Sequence, residues 1–198
     1  MFKKIKWIKL LIVIFILSNC KPNNKELEAI NDENVFLIKF KVSDIAAEFD
    51  YPVGKPNAKG YYNAQPFGEN NHLGDDWNAV AGGNSDLGDP IYVIANGYVN
   101  KAWNARGGWG NVIRVIHQLP NNQMIESLYA HCDSIFVKKG EWLSKGQQIG
   151  TIGTANGQYY AHLHFEIRDS INMPVGKGYS TETMGYLNPT NFIKSHRK

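Results

Sequence analysis

The chain has 198 residues, of which 43% are hydrophobic and 20% charged, with 19 glycines. This ordinary globular composition excludes a disordered tail protein, a collagen and a polytopic membrane protein, and the glycine content points to many turns and a strand-rich fold. The formal charge of +3 belongs to the N-terminus: without residues 1–19 the chain carries 17 basic and 18 acidic residues, a net of −1, so no nucleic-acid partner is expected.

Residues 1–19 open with Lys3, Lys4, Lys6 and Lys9 and continue in an apolar run from Leu10 to Leu17. The run is too short to span a bilayer as a helix and suits the apolar region of a secretory signal. It ends in Leu17-Ser18-Asn19-Cys20, which resembles a bacterial lipoprotein signal, cut before the cysteine with lipid attached to Cys20. A plain signal peptide or an uncleaved anchor is the alternative. The resemblance implies an exported chain in the cell envelope, lipid-anchored to a bacterial membrane and periplasmic or outward-facing. With Cys20 acylated, Cys132 is the one remaining thiol, so no intramolecular disulfide is available.

Residues 20–34 are polar and aperiodic and read as a tether. Residues 35–65 read as an N-terminal extension, with a strand over Val35–Val42, a short helical turn over Ser43–Phe49 and the start of a loop covering 50–71. The main domain is expected over 66–193. There, Pro90–Ala95 precedes Asn96-Gly97, a strong hairpin signal, with Tyr98–Trp103 as the returning strand. Asn111–Gln118, Met124–His131, Phe136–Lys139, Gln148–Gly153 and His162–Arg168 read as further short strands. Asn188-Pro189 marks a turn before a short apolar end. Short strands without a long helical stretch predict an all-β fold, a mainly antiparallel sandwich or open barrel.

Six histidines are present. His72-Leu73-Gly74-Asp75-Asp76 places two metal-binding residue types four apart. An extended strand would hold their Cα atoms roughly 13 Å apart, so the chain must bend between them, which Gly74 permits. In His162-Leu163-His164-Phe165-Glu166-Ile167, alternation turns Leu163, Phe165 and Ile167 to a core and the polar three to the other face. Two imidazoles about 7 Å apart at Cα can converge on one ion, with Glu166 positioned to orient one of them. His72, Asp76 and His164 together form a two-imidazole, one-carboxylate set that leaves a zinc position open, the pattern of catalytic rather than structural zinc. A polar loop and a polar strand face are the bland alternatives.

The chain resembles the lysostaphin-type zinc endopeptidases, the M23 family that cuts peptidoglycan peptides. The resemblance runs over about residues 66–168. It is carried by His72-x-Gly74-x-Asp76, Leu87-Gly88-Asp89-Pro90-Ile91-Tyr92-Val93, Asn96-Gly97-Tyr98-Val99, Gly108-Trp109-Gly110-Asn111-Val112 and Tyr129-Ala130-His131. Val137-x-x-Gly140, Lys145-Gly146-Gln147-Gln148-Ile149-Gly150, Gly153 and Ala161 to Glu166 follow in order. It implies one Zn2+ per chain held by His72, Asp76 and His164, with His131 and His162 as catalytic histidines in a groove beside the His162–Ile167 strand. It also implies peptidoglycan peptides as substrate and a monomer. The chemistry agrees: zinc brings a water near pKa 7, and imidazoles can accept and return its proton. Family members that lost metal residues serve as non-catalytic envelope modules acting on other wall hydrolases, which is the competing reading; a metal-storage role is a remote third. His117 reads as structural, Cys132 as a small buried hydrophobe, His196 as solvated, and Asp75 as facing away from the metal. Tyr61, Tyr62 and Trp109 are candidates for the groove wall.

Overall fold

The computed structural model describes residues 38–197. The expected signal, the acylated Cys20, the 20–34 tether and the start of the Val35–Val42 strand lie outside them. Over residues 38–42 the expected strand does not form. Val42–Asp44 is one 3-10 turn, closed by the Lys41 N–H donating to Asp44 Oδ2 at 2.8 Å.

Ten strands follow: β1 (Tyr61–Gln65), β2 (Asp75–Ala79), β3 (Pro90–Tyr92), β4 (Gly97–Arg106), β5 (Gly110–Gln118), β6 (Met124–Cys132), β7 (Trp142–Leu143), β8 (Gln148–Thr151), β9 (Leu163–Arg168) and β10 (Tyr186–Leu187). All pairings are antiparallel. The main sheet runs β1-β2-β9-β6-β5-β4-β7, with β10 beside the end of β9, and β3 pairs with β8 in a separate ribbon. The mainly antiparallel all-β expectation holds.

The alternation read for β9 sorts its side chains between two faces, both of them buried. Leu163, Phe165 and Ile167 enter the principal core with Ile91, Ile113, Tyr129 and Ile149, so the β3–β8 ribbon covers that face. The opposite face carries His164, Glu166 and Arg168 beside a small cluster of Val112, Leu128, Ala130 and Trp109. Cys132 is buried in the principal core, as its place next to His131 implies.

Several expectations are corrected. Asn96-Gly97 does not turn a hairpin, because β3 pairs with β8 while β4 pairs with β5 and β7. Glycine is required there for packing instead: a Cβ on Gly97 would lie 2.6 Å from Val115 Cγ1. The 50–71 loop contains β1, which registers Asn63 against Trp77. Phe136–Lys139 is not a strand, and pairing near it is a single bridge from Ile135 to Gly150. The expected terminal turn begins a helix instead, α1 (Pro189–His196). Asn188 caps it by accepting from Asn191 N–H at 2.9 Å, and Pro189 takes the first position, where no amide is needed. Ile193 then enters the core and Phe192 packs on Phe49 at 5.1 Å. His196 is not simply solvated, for its ring stacks on Phe192 at 4.1 Å.

Candidate metal centre

β2 and β9 are adjacent and antiparallel, with Asp76 directly opposite His164. This register brings a carboxylate and an imidazole together from 88 residues apart in sequence. His72 precedes β2, where the chain bends. Gly74 lies so close to β9 that a Cβ would sit 2.6 Å from the Phe165 carbonyl oxygen and 3.0 Å from His164 Cε1. The glycine therefore permits a close approach of two backbones as well as a bend.

Three donor atoms converge. His72 Nε2 lies 3.0 Å from His164 Nδ1 and 3.4 Å from Asp76 Oδ1, and His164 Nδ1 lies 2.9 Å from the same oxygen. Four ligands arranged tetrahedrally about zinc at its usual nitrogen and oxygen distances are about 3.3 Å apart. The spacing and the donor types thus fit that ion. Hydrogen bonding fixes which nitrogens face inward. His72 Nδ1–H donates to the Gln65 carbonyl at 3.1 Å, and His164 Nε2–H donates to Glu166 Oε1 at 2.9 Å. Each ring therefore turns its other nitrogen to the shared point. Glu166 is itself buried and accepts from Arg168 Nε at 2.6 Å, so its carboxylate has a fixed direction. Glu166 thus orients the His164 ring, as its place on the same strand face suggests.

The electrostatics reflect crowding around that point. Burial opposes the imidazolium of His164, but hydrogen bonds to Asp76 and Glu166 override it and raise the group to about 9. Burial also opposes ionisation of Asp76, yet its hydrogen bond from His164 and the neighbouring imidazoles hold it below the usual carboxylate range. Burial pushes His72 down, against the pull of Asp76. A proton on His164 compensates the carboxylates when no cation does, and a bound cation would displace it.

His131 and His162 stand beside this cluster, their ring centroids 4.7 Å apart, and His131 lies 5.6 Å from His164. His162 Nδ1–H donates to the Tyr160 carbonyl at 2.8 Å, leaving Nε2 3.9 Å from Asp76 Oδ2. Burial, then the His164 and His162 rings, pushes His131 down to about 3, so it is neutral at physiological pH. His131 also has φ of 62°. Between Asn111↔Cys132 and Ile113↔Tyr129, Val112 faces both Ala130 and His131, which makes a bulge in β6. Gly153 packs under it: a Cβ there would lie 2.5 Å from the His131 carbonyl oxygen and 2.4 Å from Asp133 N. Gly153 also bridges to His162, so one glycine contacts the backbones that carry both rings.

All five expected site residues meet in one place. Side chains of Asp76 and His162 each keep 14% exposure, so the point is open to solvent. Among the described residues, the group able to hold a metal contains His72, Asp76 and His164 and no further donor. Asp75 points elsewhere, accepting from Phe67 N–H and Thr190 Oγ1–H. His117 is structural, buried between the Asn96 carbonyl and Ser127 Oγ. Trp109 does reach the site, 5.3 Å from the His164 ring, whereas Tyr61 is tied to Asp89 and Tyr62 faces solvent. Tyr179 was not foreseen. It lies 5.1 Å from the His72 ring and bonds Gln65 Oε1 at 2.9 Å.

Comparison with known proteins identifies the family. The family model described as Peptidase family M23 matches residues 71–177. A Yersinia enterocolitica protein named Lipoprotein NlpD is 40% identical over 100 residues, covering 50% of this chain and 91% of that one. The Escherichia coli K12 protein named Murein hydrolase activator NlpD is 36% identical over 115 residues, covering 55% of this chain but 27% of its own length. A crystal structure of peptidase M23 type from Pseudomonas aeruginosa has the same fold, with 22% identity, a TM-score of 0.53, and coverage of 74% of this chain and 50% of that one. With the match extending from the loop of His72 to the strap beyond Arg168, the chain belongs to peptidase family M23.

Proposed function

We propose that the chain is a lipid-anchored envelope protein whose M23 domain hydrolyses peptide bonds of peptidoglycan stems or cross-bridges. The observation that carries this reading is the convergence of His72, Asp76 and His164 on one solvent-open point, with His131 and His162 alongside. His72 Nε2, Asp76 Oδ1 and His164 Nδ1 would hold one Zn2+. Zinc there would polarise the scissile carbonyl and bring a water's pKa near 7. His131, which burial keeps neutral at physiological pH, would orient the attacking water by hydrogen bonding rather than hold its proton. His162, oriented by the Tyr160 carbonyl, keeps Nε2 beside the Asp76 carboxylate to hand a proton to the leaving amine. Glu166 holds the His164 ring, and Trp109 and Tyr179 wall the cleft.

A second reading has its own support. The relatives are named murein hydrolase activators and lipoproteins, and these names favour a non-catalytic module that activates other wall hydrolases over a peptidase. Both readings place the chain on the murein wall. One experiment separates them: zinc-loaded protein and His164→Ala are each incubated with defined muropeptides, alone and with a purified wall amidase, and fragments are identified by mass spectrometry. Cleavage by the zinc-loaded protein alone, lost in His164→Ala, supports hydrolysis. No cleavage alone, with amidase stimulation retained in His164→Ala, supports activation and refutes hydrolysis.

A further inference from the structure

The edge of the main sheet farthest from the metal centre carries an unusual surface. β7 ends the sheet, four strand positions from β9, a lateral distance of about 19 Å. Trp142 on β7 is 42% exposed and packs edge-on against Phe40 at 4.8 Å and Tyr98 at 5.2 Å. Val42 is 93% exposed and Phe136 is 56% exposed. Lys39, Lys41, Lys138 and Lys139 are all exposed around these residues. Two acids accompany them: Glu141 lies 4.0 Å from Lys138, and Asp44 accepts from Lys41 N–H and Ser43 Oγ–H. The balance is basic on a body whose net charge after residue 19 is −1.

We propose that this edge, formed by Phe40, Val42 and Trp142 and flanked by the four lysines, docks onto an anionic lipid surface. The proposal rests on the reading that Cys20 carries lipid. Eighteen residues separate Cys20 from Lys39 in the sequence, so a lipid on Cys20 would tether this edge to the bilayer by a short stretch of chain. Phe40 and Val42 are among the first described residues after that stretch, so the edge nearest the anchor in sequence is the aromatic one. Half-exposed tryptophan and tyrosine beside lysines suit the headgroup region, where rings enter the interface and ammonium groups meet phosphates. Docking there turns the β2–β9 side, with the metal centre, away from the membrane and toward the wall.

The test uses the full acylated chain on vesicles of phosphatidylethanolamine with or without phosphatidylglycerol, carrying brominated acyl chains. Trp142 is read as the difference between the chain and Trp142→Phe. Quenching and a blue shift on phosphatidylglycerol vesicles are expected. Lys138→Gln and Lys139→Gln should each lower the docked-to-undocked ratio about fivefold, and Val42→Asp, at a fully solvated position, should lower it further without affecting folding. A chain that floats with vesicles while Trp142 stays unquenched overturns docking and leaves the anchor standing. A chain that does not float overturns the anchor and docking with it. A Trp142 signal that follows protein concentration rather than lipid overturns docking in favour of self-association.

Discussion

Replacing Glu166 by glutamine tests whether the buried pair behind His164 positions the metal ligand. Glu166 and Arg168 are both fully buried, and one carboxylate oxygen holds His164 while the other faces the guanidinium. Glutamine keeps an acceptor near His164 but leaves Arg168 as an uncompensated buried charge, a loss of about 3–5 kcal/mol. The ring of His164 also loses its charged partner, and zinc affinity should fall about 10- to 100-fold. The two effects separate in Glu166→Gln/Arg168→Met. Removing both charges should restore part of the stability, though Arg168 also donates to the carbonyls of Pro174 and Val175 at 3.0 Å, which limits recovery. Zinc affinity should stay low in the double variant. Stability is measured by urea unfolding of zinc-free protein, and affinity by competition with a chelating dye. A folded Glu166→Gln protein with unchanged zinc affinity would refute the positioning argument.

Four further outcomes follow from the same geometry. Gly153→Ala should destabilise by about 1–3 kcal/mol and reduce muropeptide cleavage more than zinc content, since its Cβ would press on the backbone of His131 and Asp133 rather than on the ligands. His131→Asn should abolish cleavage yet raise stability by up to about 1 kcal/mol in urea unfolding, because asparagine tolerates the positive φ better. Burial depresses His117 to about 4 against an unfolded value near 6.5, so its contribution is complete above pH 6.5 and is lost as pH falls toward 4. The loss is about 3 kcal/mol. The stability difference between the chain and His117→Gln should therefore shrink across that window. His72→Ala should remove zinc while leaving the β-rich circular dichroism spectrum intact, since the main sheet does not depend on the ion.

The parts of the fold legible in the sequence are those where a short period repeats against one partner. β9 was readable because Leu163, Phe165 and Ile167 alternate with His162, His164 and Glu166, and a strand flanked by two neighbours must bury one such set. The meeting of His72, Asp76 and His164 was readable through donor type and family resemblance, but the need for Gly74 was not, because the contact is with Phe165, far along the chain. Asn96-Gly97 misled because local turn chemistry gave way to pairing of β3 with β8, more than fifty residues later. Tyr179 and Gly176, which touch His72 and Trp109, lie in an aperiodic segment whose position is set by hydrogen bonds from Arg114 and Arg168 to the carbonyls of residues 173–175. No local pattern signals such a strap. α1 is not legible because its eight residues, little more than two turns, bury only Pro189 and Ile193, too few apolar positions to show a helical period.

Zinc-edge X-ray absorption of the metal-loaded protein reads the centre most directly. Two imidazole nitrogens, one carboxylate oxygen and one exchangeable oxygen, all at about 2.0–2.2 Å, are the expected shell, and His164→Ala should abolish it. A sulfur scatterer, a shell closed by four protein donors, or failure to load zinc would contradict the convergence of His72, Asp76 and His164 on an open site.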